Sequence, residues 1–214
     1  MVWGVGSGGV SAVSVDLDKL QSSIHRKFGV ASLRNYHGWR LMMDNVKDLS
    51  ADQKIKRVNE FFNRRIQAGI DQEIWGELDY WATPGDTLGK GMGDCEDFAI
   101  AKYYSLLNLR IPSSSLRLVY VKASGVYGGA DVEPQAHMVL AYYVSPETEP
   151  LILDNLITDI RPASRRPDLS PIFSFNSEGI YVGPATQGVV KPGGLRLSRW
   201  QDLMRRAYAE GFHD

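Results

Sequence analysis

The chain has 214 residues, of which 43% are apolar, and its 24 basic and 25 acidic side chains give a formal net charge of −1. A chain of this length and composition buries enough apolar surface to fold without a metal or a disulfide, and the composition excludes a disordered tail. The near-neutral charge argues against a protein that binds nucleic acid by neutralising phosphates. The sequence contains no run of about 18 apolar residues, so no segment is predicted to cross a membrane. The first 15 residues do not have the pattern of an intact secretion signal.

The first half of the sequence predicts helices. Residues 1–15, Gly/Ser-rich in part, predict a flexible N-terminal segment or linker, and residues 16–214 predict a single domain whose helical part is about 16–110. Asp16 predicts the cap of a first amphipathic helix, and Ser50 with Gln53 has the form of a capping box that opens a third. Between them an apolar stripe beginning at Trp39 predicts a second helix.

The second half predicts strands, over about residues 115–185. β-branched, aromatic and leucine residues mark the segments 116–122, 137–144, 151–154, 172–175 and 180–182. Residues 124–135 contain three glycines and predict a flexible surface loop. A C-terminal helix is predicted over about 198–210, after a second capping box that begins at Ser198. Helices followed by strands of hairpin length predict an α+β fold with an antiparallel sheet.

The only cysteine, Cys95, is either a buried small hydrophobe or a reactive thiol. Glycines 89, 91 and 93 precede it, and a helix is predicted to begin at it. The free N–H groups at a helix N-terminus favour a thiolate, and they also suit the oxyanion of a tetrahedral intermediate. This position therefore favours a nucleophile in acyl transfer.

A thiolate nucleophile needs a base and a group that orients the base. His137 begins one predicted strand and Asp154 ends the next. If these strands form an antiparallel hairpin, the two residues are cross-strand neighbours at one end of it, and packing the Cys95 helix across that end completes a Cys-His-Asp set. Each residue alone also fits an ordinary structural role, since Asp154-Asn155 is a common turn sequence.

Four segments and their surroundings resemble the bacterial transglutaminase-like cysteine proteinases, especially the LapG-type periplasmic proteases. The similar segments are GDCEDFAIAKY (93–103), LRLVYVK (116–122), QAHMVL (135–140) and LILDNL (151–156), with further similarity at 75–76, 79–84 and 173–176. The resemblance covers about residues 16–182. It implies a papain/transglutaminase-like fold, in which N-terminal helices and the nucleophile helix pack on the sheet. It also implies that Cys95 is the nucleophile, His137 the general base and acid, and Asp154 the residue that orients His137.

Three carboxylates, Asp94, Glu96 and Asp97, surround the thiol. Their negative charge opposes thiolate formation, and a divalent cation would cancel that effect. The local sequence favours helix capping by these residues, whereas the resemblance implies that they bind Ca²⁺, because LapG-type proteases depend on calcium. We therefore expect all three to hold Ca²⁺, with other ligands from distant parts of the chain.

The resemblance also implies a biological role. LapG-type enzymes cut the N-terminal region of a large cell-surface adhesin at a paired-alanine site in the periplasm, which disperses a biofilm. They are inhibited by the periplasmic domain of a LapD-like inner-membrane receptor for cyclic di-GMP. Two alternatives remain open from the sequence: a transglutaminase-like acyl transferase, and a non-catalytic calcium-dependent binding module.

Overall fold

The structure is a computed structural model that describes residues 13–125, 133–145, 147–182, 189–190 and 198–213. Most of the predicted flexible segment 1–15, and residues 126–132 of the predicted loop, lie outside the described residues. Within the described parts, no helix has the length and apolar character that crossing a membrane requires.

The described residues form seven α-helices, and the first and third begin directly after their predicted caps. Asp16 accepts a hydrogen bond from the N–H of Lys19, and the Ser50 and Gln53 capping box is formed. The last helix begins at Ser198 itself, which was predicted as its cap. The helices are α1 Leu17–Phe28, α2 Leu33–Val46, α3 Ala51–Arg65, α4 Asp71–Ile74, α5 Pro84–Lys90, α6 Cys95–Asn108 and α7 Ser198–Glu210.

The strands are mostly short. They are β1 Ser14–Val15, β2 Gln67–Ala68, β3 Met92–Gly93, β4 Leu116–Ala123, β5 Gln135–Tyr142, β6 Leu151–Leu153, β7 Arg161–Pro162, β8 Leu169–Phe175, β9 Ile180–Val182, β10 Val189–Val190 and β11 Phe212–His213. Seven of them form one sheet in the order β10-β9-β8-β4-β5-β6-β7, in which every pair is antiparallel. The predicted α+β fold with an antiparallel sheet is therefore confirmed.

Two small ladders were not predicted from the sequence. β1 pairs with β11, so the last residues of the predicted flexible segment form a strand beside the C-terminal end of the described chain. β2 pairs in parallel with β3 and attaches the end of α3 to the segment that leads into α6.

The helix α6 lies at the centre of the molecule. Every side chain over residues 97–107 is buried, because α3, α5 and the strands β4 and β5 all pack against the helix. Alternate residues of β4 and β5 contribute to this main core, while Val119, Val121, Val139 and Ala141 form a smaller apolar cluster. The burial of α6 fixes the position of its first residue, Cys95.

Candidate active site

Cys95 is the first residue of α6, as the sequence predicts. Asp94 is the N-cap: its carboxylate accepts a hydrogen bond from the Asp97 N–H at 3.4 Å, and the Asp97 carboxylate accepts one from the Asp94 N–H at 3.4 Å. This reciprocal capping box fixes the first turn of the helix. The Cys95 N–H is thus at the positive end of a helix dipole.

The glycine-rich approach to Cys95 is held by backbone hydrogen bonds. The N–H groups of Gln67 and Gly69 donate to the carbonyls of Gly91 and Gly93, each at 3.0 Å. Gly91 ends α5 with a φ of 71°, a conformation that favours glycine. A Cβ on Gly93 would lie 2.8 Å from the Asp97 Cβ, so these glycines allow a tight approach to the start of α6.

His137 and Asp154 lie together, in the arrangement that the hairpin predicts. β5 pairs with β6 in antiparallel register, with Leu140 opposite Leu153, and Asp154 follows β6 directly. His137 Nε2 is 2.8 Å from Asp154 Oδ1, and both side chains are buried. Because Nε2 contacts a carboxylate, that nitrogen carries the proton and Nδ1 is left as the base. Among the described residues, Nδ1 has no hydrogen-bond partner.

The carboxylate of Asp154 is held from several directions. Besides His137, its Oδ1 accepts the Leu156 N–H at 3.0 Å, and its Oδ2 accepts Arg166 Nη2 at 2.7 Å. Burial alone would raise the pKa of this carboxyl, but the contacts with His137, Leu156 and Arg166 outweigh it and lower the pKa to about 2. Asp154 is therefore ionised throughout the neutral range.

The Cys95 thiol contacts Glu96 and the strand residue after His137. Its Sγ donates to Glu96 Oε2 at 3.0 Å and accepts a hydrogen bond from the Met138 N–H. Burial raises the pKa of the thiol well above its ordinary value, and the Glu96 and Asp94 charges raise it further, whereas the Met138 N–H opposes the shift. The opposition between carboxylates and thiolate that the sequence predicts is thus present in the structure.

The three predicted metal ligands belong to a larger acidic cluster. Oxygens of Asp94 and Asp97 lie within 4.8 Å of each other and of an oxygen of Asp71, and Glu96 forms such a group with Asp71 and Asp79. Burial and neighbouring carboxylates raise the pKa of Asp94 to about 10, and burial likewise raises the pKa of Asp97 and of Asp71. Burial and mutual repulsion disfavour the ionised form of these carboxyls, and a bound cation would stabilise that form.

Asp71 and Asp79 were not identified from the sequence. Asp71 is the first residue of α4 and is buried; one oxygen accepts the Tyr80 N–H at 2.5 Å, while Oδ1 has no partner among the described residues. Asp79 forms an ion pair with Arg199 of α7. An unpartnered buried carboxylate oxygen facing other carboxylates fits a Ca²⁺ ligand, because calcium accepts several oxygens in flexible geometry.

Asp97 also fixes the segment that precedes α5. Its Oδ1 accepts the Ala82 N–H at 2.7 Å, so both its oxygens already bond to backbone N–H groups. In the part of the chain that the structure describes, Asp94 and Glu96 each keep one carboxylate oxygen without a hydrogen bond, so they are more available to a metal than Asp97.

Two tryptophans, Trp75 and Trp81, lie in the segment before α5, and an indole N–H can serve as a side-chain donor to an oxyanion. Trp81 is buried and stacks on Phe175 with 5.6 Å between ring centroids, in the role of a packing residue. Trp75 packs against Tyr80, and its buried Nε1 has no partner among the described residues. Trp75 thus presents a buried indole N–H that is available as a donor.

Comparison with models of known protein families identifies a cysteine proteinase family. The model of the bacterial transglutaminase-like cysteine proteinase family (BTLCP) matches residues 39–167. No curated protein sequence matches the chain significantly.

Solved structures of LapG from Legionella pneumophila are similar to almost the whole chain. A form described as EGTA-treated has 34% identity and a TM-score of 0.76, with 92% of this chain and 100% of that one covered. A calcium-bound form has 35% identity and a TM-score of 0.75, with 90% of this chain and 99% of that one covered. The residues matched by the family model include the whole segment from Cys95 to Asp154. The chain belongs to the bacterial transglutaminase-like cysteine proteinase family.

Proposed function

We propose that this cysteine proteinase is a calcium-dependent endopeptidase that cleaves the N-terminal region of a large cell-surface adhesin at a paired-alanine site. Release of the adhesin would disperse a biofilm. The observation that carries the proposal is the buried His137–Asp154 pair, 2.8 Å apart, beside the helix that begins at Cys95. The likeness to LapG along 92% of the chain supports the choice of substrate.

The proposed chemistry is acyl transfer to water. His137 Nδ1 removes the thiol proton, and Cys95 Sγ attacks the carbonyl carbon of the scissile peptide. The imidazolium, stabilised by Asp154, then gives its proton to the leaving amine, which leaves a thioester on Cys95. His137 next takes a proton from water, whose oxygen attacks the thioester carbon, and the returning proton restores the thiol as the acid product leaves.

Two donors stabilise the oxyanion of the intermediates in this proposal. The Cys95 backbone N–H is at the start of α6, where the helix has no internal acceptor for it. Trp75 Nε1 is the proposed second donor, because it is buried without a partner among the described residues and lies in the same segment as Asp71 of the acidic cluster.

Calcium is proposed to bind Asp94, Glu96 and Asp97 together with Asp71 and Asp79. The unpartnered Asp71 Oδ1 and the close approach of the carboxylates fit an oxygen-coordinated ion. When bound, the ion would supply positive charge beside the nucleophile. Glu96 Oε2 accepts a hydrogen bond from Cys95 Sγ at 3.0 Å. If Glu96 bound the metal instead, the thiol would be free to donate to His137.

We further propose that the enzyme acts in the periplasm and is inhibited by the periplasmic domain of a LapD-like cyclic di-GMP receptor. The support is the family resemblance. Binding of the purified receptor domain, measured by calorimetry, should coincide with loss of cleavage; binding without inhibition would contradict this part of the proposal.

The central experiment combines substrate, metal and nucleophile. The protein is incubated with an adhesin N-terminal fragment that contains the paired-alanine site, with calcium or with EGTA, and with Cys95→Ala in parallel. We expect two fragments, identified by mass spectrometry, only for the wild-type protein with calcium. A cross-linked product with loss of ammonia would instead indicate acyl transfer to an amine, and cleavage by Cys95→Ala would refute the mechanism.

A further inference from the structure

Arg166 is a buried cation directly behind the carboxylate that orients His137. Its side chain is 1% exposed, and its Nη2 donates to Asp154 Oδ2 at 2.7 Å. Since His137 and the Leu156 N–H occupy the other oxygen, Arg166 fixes the carboxylate on its second side. A carboxylate held on both oxygens cannot rotate away from the imidazole.

Arg166 is itself held by a second carboxylate. Asp168 Oδ1 accepts Nε at 3.0 Å, and Asp168 Oδ2 accepts Nη2 at 2.7 Å. This fork makes use of the planar guanidinium, which a lysine ammonium cannot reproduce. The Asp168 charge also offsets that of Arg166, so the cation fixes Asp154 without strongly opposing a positive charge on His137.

We propose that Arg166, oriented by Asp168, is a positioning residue of the catalytic site: it holds the Asp154 carboxylate in one orientation, so that His137 presents Nδ1 to Cys95. The inference rests on the proposed Cys-His-Asp catalysis. It extends the predicted triad by two residues on the segment that follows β7.

The other polar groups around Asp154 hold its backbone. Lys102 of α6 and Asn63 of α3 donate to the Asp154 carbonyl at 3.2 and 2.8 Å. They fix where the residue lies, but they do not hydrogen bond to its carboxylate. The charged groups that face the carboxylate are thus His137 from β5, Lys102 from α6, and Arg166 with Asp168 beyond it.

The test follows the alkylation of Cys95 by iodoacetamide as a function of pH, with calcium in excess. This readout needs no protein substrate, and Cys95 is the only cysteine in the chain. Arg166→Met is compared with Arg165→Met, an identical change at the exposed neighbouring residue. Circular dichroism and thermal melting check that each variant is folded.

In Arg166→Met, the acid limb of the alkylation profile should move to higher pH by about one unit, because removing a buried positive charge beside the His137–Asp154 pair disfavours the anionic thiolate. Arg165→Met should follow the wild-type profile. Coincident profiles for all three folded proteins would overturn the inference and leave Arg166 a structural residue.

Arg166→Lys provides a second test that keeps the charge and loses the fork. Its acid limb should stay close to that of the wild type, while the maximal alkylation rate falls about tenfold because Asp154 is less well directed. A wild-type rate in this variant would contradict the positioning role, even if Arg166→Met did not fold. If the adhesin fragment is not cut but the Arg166→Met profile shifts, the proposed substrate fails and this inference stands.

Discussion

Lys102 is a buried lysine that contacts the backbone of the triad. It is 1% exposed, its Nζ donates to the Asp154 carbonyl at 3.2 Å, and it lies over the Phe98 ring. Burial lowers the pKa of Lys102 to about 7, although the Asp154 charge acts in the opposite direction. Lys102 therefore destabilises the folded protein at every pH at which the lysine of the unfolded chain is protonated.

The pH dependence of this cost can be measured. Between pH about 7 and about 10.4 the unfolded state holds the Lys102 proton and the folded state does not, so stability rises with pH over this window. We predict that Lys102→Met has a higher free energy of unfolding than the wild type at pH 6, and that the difference shrinks towards pH 10. Urea unfolding at several pH values measures it, with the exposed Lys122→Met as control. A difference that does not change with pH would contradict the prediction.

Asp94 combines two roles that the sequence leaves as alternatives. It caps α6, and it lies in the acidic cluster with Asp71 and Asp97. Serine caps a helix about as well as aspartate but offers a poor calcium ligand. Asp94→Ser therefore separates the two roles.

We predict that Asp94→Ser unfolds in the calcium-free state with nearly the wild-type free energy of unfolding, while its calcium affinity falls by about tenfold or more. Chemical denaturation in EGTA measures the first quantity, and calorimetric titration with calcium the second. Wild-type calcium affinity in this variant would remove Asp94 from the proposed ligands.

At the scale of elements, the fit between α1 and α5 depends on a glycine. A Cβ on Gly89 would lie 2.2 Å from Phe28 Cδ2 and 3.1 Å from its Cγ, so the whole ring would have to move. We predict that Gly89→Ala lowers the free energy of unfolding by about 1–3 kcal/mol. A double variant with Phe28→Ala should lose less than the sum of the two single changes, because the clash is then gone. Additive losses, measured by urea unfolding, would show that the ring is not the cause.

The helices and main strands were predictable because their signals are local. Asp16 and Ser50 act as caps within one turn, and the β-branched, aromatic and leucine residues that predict β4 and β5 lie within each strand. The two-residue strands β1, β2 and β3 have no such pattern. They form because packing brings distant segments together, which a local pattern does not record.

The same distinction applies to the site. The proximity of His137 and Asp154 could be predicted because one hairpin joins them. Cys95 could be predicted as the nucleophile because it begins a helix. The roles of Asp71 and Arg166 could not be predicted, because each residue reaches the site from a separate segment and neither lies in a recognisable local motif. Their signals are physical and appear only in three dimensions: an unpartnered carboxylate oxygen and a cation between two carboxylates.

At the scale of the whole molecule, the acidic cluster joins segments that are distant in sequence. Asp71 and Asp79 belong to the segment between α3 and α5, whereas Glu96 belongs to α6. A bound ion would hold these segments together, and an ion that binds only the folded state stabilises it by mass action.

We predict that calcium raises the melting temperature, by about 5–10 °C at 100 times its dissociation constant, because this concentration adds about 2.7 kcal/mol to a domain of this size. EGTA should reverse the shift, and magnesium should produce a smaller one because it demands stricter geometry. Asp71→Asn should lose most of the calcium response in the same thermal scans. A full response in that variant would exclude Asp71 as a ligand.

The pairing of β1 with β11 brings the two ends of the described chain side by side. Ser14 lies opposite His213, Val15 opposite Phe212, and the Asp16 N–H donates to the Gly211 carbonyl at 2.8 Å. Neighbouring ends make a domain suitable for circular permutation and for insertion into a host protein, since a short peptide can bridge them. A stretching force applied through both ends would likewise load this two-stranded ladder first, before it reached the strands that carry His137 and Asp154.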